Sequence, residues 1–599
     1  MHGKKNNTLK YAFLLLIVIV PLFSLGVSNH GLWSADEPRV AEIGREMALS
    51  NNWAVPTLNQ KPFLEEPPLY YASLAIVFKV FGISDRVARI PSAFFAFATV
   101  LVVFFMANRL FGPRIAFFSG LILATTGEFI RVAHWVIVDG ALTFFVASAL
   151  FLFITAYLSE TDRKKLLRYG LFYVACTLAF YTKGFIGIVI PVLGILAFLV
   201  IEKNLKEIVR MRLWLGLLIF LAMTLPWFFT LWHQAGTEYL NVFFVHNHLQ
   251  RFFPAAFAAK LSDAASGHHH PFYYYLTEFP NGFLPWSIFL IPVLLYTFSK
   301  SHKTDKTGML SQKGTLLAKC WFLAGIIFLS VASTKRTLYL MPIFAPIAML
   351  TALYIDHTIA GVEDSRWLRR IGTIFMWVFD LVFLIIGLGL TPVYVYLKEN
   401  YLFNTPHGFM AWIVMLSTLL VIVSLTGMWY RLHGNMKRYW FFPGLSIVFP
   451  LVFSLAILAP VLDKHKSFVP FCRAVANAVP PSAPLYGYVP DETLQGALPF
   501  YTGYKVIDTG SIQQVASLIK SDEPFFIMVR DKREEAEKEL LATGKLSILV
   551  KQIMGTDRTL VLLSNAPVET ARVIGEPFRK IEKAGTARRI APEKNRSHL

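Results

Sequence analysis

Long apolar runs alternate with short polar segments along the chain as far as about residue 460. A run of about 20 apolar residues is long enough to cross a bilayer as a helix. Runs close to that length occur at 10–28, 88–108, 114–132, 136–158, 168–183, 185–201, 213–232, 282–299, 315–333, 337–357, 371–393, 409–430 and 439–460. The stretches 114–158 and 168–201 are nearly continuous, so the number of spans is open by one or two. The pattern predicts a polytopic α-helical membrane protein with about 13 transmembrane helices.

The first apolar run has two interpretations. Lys4, Lys5 and Lys10 precede the run Tyr11–Val27, as in a cleaved signal peptide. The run is long for that role and lacks a clear cleavage site with small residues. An uncleaved first span is therefore the favoured interpretation, and 1–460 is predicted to form one transmembrane domain.

The pattern changes in the carboxy-terminal part of the chain. Four short β-rich runs begin at Leu485, Phe525, Leu546 and Thr559. They alternate with helical patterns such as Lys532–Ala542. This alternation predicts a small soluble α/β domain over 461–577. The last segment, 578–599, is rich in Lys and Arg and is predicted to be a disordered tail.

Basic residues concentrate in loops and so predict the orientation of the spans. Clusters of Lys and Arg occur at 163–165, 203–212, 300–306, 366–370 and 431–438. Counting from an inside amino terminus, all five clusters face the cytoplasm, as the positive-inside rule requires. The same count places two long loops, 29–87 and 233–281, on the outer face together. It places the carboxy-terminal domain there as well.

Composition excludes several other classes of protein. Of 599 residues, 55% are hydrophobic and 16% are charged, which is too little charge for a soluble chain of this size. The formal net charge is +19, but the basic residues lie in short loops, so a nucleic-acid partner is not indicated. The three cysteines are widely spaced and predict neither a disulfide framework nor a thiolate metal site. The chain contains no Walker-type or dinucleotide motif, so it is not expected to hydrolyse nucleotides.

The first outer loop contains a polar segment between apolar runs. It begins with Leu32–Arg39 and closes with Glu65–Tyr71. Carboxylates at the edge of a bilayer are costly, so such a cluster marks chemistry or transport. The spacing predicts a helix that begins near Glu37, capped by Asp36 or Ser34.

That helix is expected to lie in the membrane interface. Val40, Ile43 and Met47 share one face, which is predicted to contact lipid. The opposite face carries Arg39, Glu42 and Glu46. The alternative interpretation is that Asp36 serves only as the helix cap.

The topology count brings further charged residues to the outer face. Asp139 lies at the outer end of its span, Lys183 lies in a short hairpin, and Arg251, Lys335 and Arg336 follow in outer segments. Arg and Lys suit phosphate groups, whereas removal of a proton needs a carboxylate or histidine. Snorkelling explains single basic residues such as Arg336, but it does not explain why all of these residues converge on one face.

Histidines also occur in the second outer loop. His246 and His248 diverge on a helix, and 268–270 is a histidine triplet. Hydrogen-bonding roles are favoured over a metal site.

At these residues the chain resembles the membrane-embedded glycosyltransferases of family 39. This family belongs to the GT-C group and includes lipid A aminoarabinose transferases, which are the closer match, and protein O-mannosyltransferases. The resemblance covers roughly residues 30–350. It rests on motifs in the right order, namely Asp36–Met47, Pro67–Tyr71, Asp139-Gly140, Lys183-Gly184, His270–Tyr275 with Pro285-Trp286, and Ser333–Pro342.

The resemblance implies a GT-C fold and an inverting transfer of a sugar from a polyprenyl-phosphate donor, without a metal or other cofactor. It implies that Asp36 is the catalytic carboxylate, with Glu37 and Asp139 as possible helpers. Basic residues implied for the donor phosphate are Lys183, Arg251, Lys335 and Arg336. Residues implied for substrate binding are Arg39, Glu65, Glu66, Tyr71, His248, His270 and Tyr339.

One position departs from the family. A lysine implicated in phosphate binding usually precedes the Pro-Pro pair, and this chain has Glu66 there. A carboxylate cannot hold an anionic phosphate, so Lys183, Arg251, Lys335 or Arg336 is expected to do so, or the site differs.

The expected protein is a glycosyltransferase of the bacterial inner membrane that acts on its outer face upon a lipid A or other glycolipid acceptor. A protein acceptor is the alternative within the family. A secondary transporter or lipid flippase is the alternative of another class, but it predicts inverted repeats and charges at mid-bilayer, which this chain lacks. A catalytically inactive binding relative is a third alternative, raised only by Glu66.

Overall fold

A computed structural model describes residues 2–33, 36–249, 269–299, 308–361, 366–400, 405–519, 523–532, 535–554, 558–566 and 572–574. The predicted tail 578–599 lies outside these ranges, as does Ser34.

Long apolar helices form most of the described chain. Nine have the length and composition to cross a membrane: Asn7–Ser24, Asp85–Phe111, Asp139–Tyr157, Leu213–Ala235, Met309–Val331, Thr337–Ala360, Arg366–Glu399, Phe409–Leu432 and Met436–Lys466. Two bent helix pairs bring the described total to as many as 11. The protein is therefore a multi-pass α-helical membrane protein, as predicted, whereas the count of about 13 spans is not confirmed.

The two bent pairs correspond to runs that hydropathy predicts as single spans. Pro113–Ala124 and Gly127–His134 meet at 65°, and Tyr274–Gly282 and Trp286–Phe298 meet at 117°. The two breaks contact each other. The backbone N–H of Gly127 donates to the carbonyl of Leu284 at 2.8 Å, and the Trp286 indole donates to Thr125 Oγ1 at 2.9 Å. The first bond pairs two backbone groups that lie outside the regular helical bonds, and the second joins side chains across the two breaks.

Shorter or more polar helices complete the helical part of the chain. They are Asp36–Ser50, Leu69–Phe81, Asp162–Lys183, Ile186–Ile201, Lys206–Met211, Thr237–Asn241, a π-helix at Val242–Leu249, and Val469–Ala478. Residues Thr57–Leu58 and Lys61–Pro62 form a small antiparallel hairpin in the first outer loop.

A mixed sheet follows the last apolar helix. Its described strands lie in the order Val506–Thr509, Leu485–Tyr488, Phe526–Lys532, Arg558–Ser564, Ser547–Met554 and Arg572–Ile574. The first three are mutually parallel, and Arg558–Ser564 is antiparallel to both of its neighbours. Helices Glu492–Thr502, Ile512–Leu518 and Glu535–Leu541 connect the strands. All four β-rich runs of the sequence therefore contribute strands.

The helix Asp36–Ser50, called here the site helix, contradicts one expectation. Val40, Ile43 and Met47 are buried in a protein core rather than exposed to lipid. The adjacent helix Leu69–Phe81 covers them, and a Cβ on Gly44 would lie only 2.5 Å from Leu74 Cβ. The close packing of the two helices excludes lipid from this face. An amphipathic pattern shows only that one face of a helix is apolar, and it does not show whether that face contacts lipid or another helix.

Candidate active site

Asp36 lies in the first turn of the site helix, between two arginines. Its Oδ1 atom is 2.9 Å from Arg39 Nη2, one turn along the same helix. Its Oδ2 atom is 2.8 Å from Arg336 Nη2, 300 residues away in the sequence. Each carboxylate oxygen therefore contacts a guanidinium, so the side chain of Asp36 does more than cap the helix.

Arg39 connects Asp36 to two further carboxylates. Its Nη1 atom is 2.8 Å from Glu65 Oε2 and also contacts Glu492, in the carboxy-terminal part of the chain. The guanidinium lies 5.5 Å from the centre of the Phe63 ring. Burial opposes the charge of Arg39, but the surrounding carboxylates outweigh this effect and raise its pKa above the ordinary value.

A second group of charges surrounds Lys183. Its Nζ atom donates to both oxygens of Asp139, at 2.7 and 2.8 Å. Glu66 Oε1 lies 3.8 Å from the same nitrogen, and the Tyr339 ring centre is 4.9 Å away. The glutamate that replaces the family lysine is therefore adjacent to a lysine from another helix.

The segment Ser333–Leu340 joins the two groups. Lys335 is buried, and its Nζ donates to the carbonyl of His270 at 2.9 Å. The Arg336 carbonyl accepts from Tyr275 Oη at 3.2 Å and from the Tyr339 backbone N–H at 3.0 Å. Burial opposes the charge of Arg336, yet Asp36 raises the pKa of Arg336 above its usual value.

Glu37, although next to Asp36, has different surroundings. It is fully buried and accepts from the backbone N–H groups of Trp33 at 2.7 Å and Val136 at 3.1 Å. The Arg89 guanidinium lies 3.3 Å away. Burial raises the pKa of Glu37, with Arg89 opposing. Its contacts connect the site helix to the loop before Asp139, which is a positioning role.

The remaining predicted residues divide into three cases. Tyr71 is buried within electrostatic range of Glu66 and Arg39. The His270 ring stacks on Tyr274, with centroids 4.2 Å apart. Arg251 lies outside the described residues, and so does the side chain of His248.

Sequence reasoning missed Glu492. It is 453 residues from Arg39 in the sequence, and its local context, the start of a short helix in the predicted soluble domain, gives no sign of a contact with the outer loop.

Comparison with known proteins supports the resemblance. The family model described as dolichyl-phosphate-mannose-protein mannosyltransferase matches residues 65–230. An undecaprenyl phosphate-alpha-4-amino-4-deoxy-L-arabinose arabinosyl transferase of Enterobacter sp. (strain 638) is 27% identical over 76% of this chain and 77% of its own length. The transferase of that name from Shewanella sediminis (strain HAW-EB3) is 32% identical over 60% of this chain. The chain thus spans about three quarters of one relative and 62% of the other.

The fold is also similar to a solved structure. ArnT from Cupriavidus metallidurans, in a crystal structure with undecaprenyl phosphate, superposes with a TM-score of 0.71 at 21% identity. The match covers 93% of this chain and 98% of that protein. The shared fold therefore includes both the apolar helices and the carboxy-terminal sheet. The family-model match, the relatives and the shared fold together support a GT-C membrane glycosyltransferase that is similar to the aminoarabinose transferases of family 39.

Proposed function

We propose that this protein transfers a sugar from an undecaprenyl-phosphate or similar polyprenyl-phosphate donor to a glycolipid acceptor of the lipid A type, at the outer face of the bacterial inner membrane. The observation that carries the proposal is the position of Asp36 between Arg39 and Arg336. The similar transferases are named for an undecaprenyl-phosphate donor, and this supports the donor class.

Asp36 acts as the general base. It accepts the proton of an acceptor hydroxyl or phosphate while the acceptor oxygen forms a bond to the anomeric carbon. The bond from that carbon to the donor phosphate breaks, and the phosphate leaves with the bonding electrons. Attack from the opposite face inverts the anomeric centre. Arg39 and Arg336 keep the carboxylate in one orientation, which favours this geometry.

Basic side chains stabilise the leaving phosphate. Arg336 adjoins Asp36, and Lys335 precedes it in the same segment. Lys183 is already bonded to Asp139, so it meets the phosphate as part of an ion pair rather than as a mobile charge. Asp139 then serves to orient Lys183. Charge-assisted contacts of this kind lower the barrier because the leaving oxygen gains negative charge in the transition state.

The site helix and the carboxy-terminal sheet belong on the extracytoplasmic side in this proposal. The contact between Arg39 and Glu492 supports it, because a site residue and the sheet region must then share one side of the membrane. The basic loops support the same orientation.

A protein acceptor is the second candidate. It is favoured by the description of the matching family model, a mannosyltransferase that acts on proteins. The glycolipid acceptor is preferred because the relatives that match 76% and 60% of this chain are named arabinosyl transferases, the group that the sequence resemblance links to lipid A.

The first prediction tests whether Asp36 is the general base. Asp36→Asn should reduce transfer by about 100- to 10,000-fold, the usual cost of removing a general base, while donor binding persists. The measurement is transfer of radiolabel from a polyprenyl-phosphate sugar to extracted glycolipid in membranes with matched protein levels. Asp508→Asn, an exposed aspartate on a strand of the sheet, is the control and should retain wild-type turnover. Wild-type turnover in Asp36→Asn would refute the assignment.

A further inference from the structure

Arg39 is the point at which three segments of the chain meet. Its two terminal nitrogens contact Asp36 of its own helix, Glu65 of the outer loop and Glu492. The Nε atom is buried and lacks a hydrogen-bond partner within the described part of the chain. The terminal nitrogens therefore determine how the guanidinium faces Asp36.

The helix Glu492–Thr502, called here the docking helix, packs directly on the backbone of the site helix. A Cβ at Gly496 would lie 2.6 Å from Arg39 N and from the carbonyl carbon of Pro38. Backbone atoms cannot move aside as a flexible side chain can. Glycine is thus required for this approach, and the approach brings Glu492 within reach of Arg39.

The start of the docking helix is fixed independently of Arg39. Asp491 caps the helix by accepting from the Leu494 backbone N–H at 2.9 Å. Arg530, on a central strand of the sheet, contacts Asp491 and donates to Thr493 Oγ1 at 2.7 Å. The sheet therefore helps to fix the position of Glu492 by contacts that do not involve Arg39.

The other end of the docking helix is anchored in the transmembrane part. Phe500 is buried in the core formed by the site helix and Leu69–Phe81, with its ring centre 6.0 Å from that of Phe78. Tyr501 Oη accepts from the Leu32 backbone N–H at 2.8 Å. Leu494 and Leu498 of the same helix are buried in the core of the sheet, so the docking helix connects the two cores.

We propose that Glu492 is a positioning residue for the transfer reaction and acts on Asp36 through Arg39. The inference rests on the function proposed above. By holding Arg39 Nη1 together with Glu65, Glu492 directs Nη2 towards Asp36 Oδ1. It also shares the positive charge of Arg39 among three carboxylates, which leaves Asp36 more able to accept a proton. The carboxy-terminal region then contributes a positioning residue to the active site.

Replacement of Glu492 tests the proposal. Glu492→Gln removes the charge and keeps the size, and it should lower kcat about tenfold, because small displacements of a reacting group are costly. The KM for the donor should stay within about twofold of wild type, because the interaction acts on the transition state and not on donor binding. Glu492→Asp retains the charge and should recover part of the lost rate. The assay uses a polyprenyl-phosphate-linked 4-amino-4-deoxy-L-arabinose donor and the full-length protein in detergent.

A stability measurement separates positioning from folding. The Glu492 side chain is 51% exposed, and exposed ion pairs add little stability, so the thermal unfolding midpoint of Glu492→Gln should match wild type. The matched control is Glu539→Gln, an exposed glutamate of the same region that accepts from Tyr488 Oη at 3.0 Å, and it should change neither kcat nor the midpoint. Gly496→Ala should lower kcat even though Glu492 is present.

Three results would overturn the proposal. Unchanged kcat in Glu492→Gln rejects the positioning role alone. A raised donor KM with unchanged kcat means that Glu492 contacts the donor itself. An inactive wild-type protein, with any glycolipid or protein acceptor, contradicts the proposed function and removes the basis of this inference with it.

Discussion

Glu66 alters the charge beside the proposed phosphate site. Its carboxylate adjoins Lys183, at 3.8 Å, and Lys183 also donates two hydrogen bonds to Asp139. A phosphate that approaches Lys183 therefore meets two nearby carboxylates. A donor with an ammonium group on its sugar would gain from the same negative charge. We infer that Glu66 selects the sugar of the donor rather than its carrier.

The prediction is a donor-dependent effect of Glu66→Gln. For a polyprenyl-phosphate 4-amino-4-deoxy-L-arabinose donor, KM should rise about 10-fold or more, the scale of one charged hydrogen bond of about 1.5–3 kcal/mol. For a polyprenyl-phosphate mannose donor, which has no ammonium group, KM should remain the same or fall. Steady-state kinetics with the two donors provide the comparison, and the mannose donor, whose sugar is uncharged, is the internal control. Equal increases with both donors would show that Glu66 acts through Lys183 on the phosphate.

At the residue scale, local motifs predict the members of the site but not their partners. Asp36, Asp139 and Lys183 are recognisable because each lies in a short polar motif beside an apolar run. The contact of Asp36 with Arg336 and that of Arg39 with Glu492 join segments 300 and 453 residues apart. No spacing within one motif encodes such contacts, because they depend on how whole helices pack.

The site helix carries a second buried carboxylate that makes it sensitive to pH. Glu42 accepts from Arg45 at 2.6 and 2.8 Å but is fully buried. Burial raises the pKa of Glu42 from an ordinary 4.5 to about 8, with Arg45 opposing and Glu46 adding to the rise. Between these two values the folded protein holds a proton that the unfolded chain has released. This contribution to stability is complete below about pH 4.5 and is lost as pH rises to about 8.

The corresponding prediction concerns Glu42→Gln, which mimics the protonated carboxyl group. The thermal midpoint of the wild type in detergent should fall as pH is raised from 5 to 9, and Glu42→Gln should reduce that fall. Glu539→Gln is the comparison, since Glu539 is an exposed glutamate of the carboxy-terminal region, and it should leave the pH dependence of the midpoint as in wild type. If Glu42→Gln shows the same pH dependence as wild type, Glu42 is ionised in the folded protein throughout this range.

At the element scale, hydropathy predicts where apolar helices lie but not their direction. The runs 114–132 and 282–299 each satisfy the length of a span, yet each belongs to a sharply bent pair. The first break consists of Thr125-Thr126, and the second includes Leu284-Pro285. Hydrogen bonds join the two breaks. These contacts are tertiary, and an average over a window of residues does not detect them.

At the scale of the whole molecule, the change of pattern predicts the carboxy-terminal region, and the topology count predicts that it lies on the same face as the site loops, but neither predicts its contact with Arg39. Alternation of β-rich runs and helices predicted an α/β domain, and four of its strands lie where those runs occur. Val506–Thr509 and Arg572–Ile574 were missed because they are short edge strands with weak patterns. The packing of the docking helix on the site helix requires this region to share the side of the membrane on which Asp36 acts.

Cysteine labelling tests this arrangement across the membrane. The native cysteines Cys176, Cys320 and Cys472 are all buried, so the wild type should give little background. Gln513→Cys, on an exposed face beside the sheet, should react with a membrane-impermeant maleimide in intact spheroplasts, because it lies on the same side as the site helix. Lys164→Cys, in a predicted cytoplasmic loop, should react only after permeabilisation. Labelling at Lys164→Cys but not at Gln513→Cys in intact cells would show that the orientation is the reverse of the predicted one, with Asp36 on the cytoplasmic side. Labelling of both in intact cells would mean that an even number of spans separates Lys164 from the carboxy-terminal sheet, instead of the odd number that the sequence predicts.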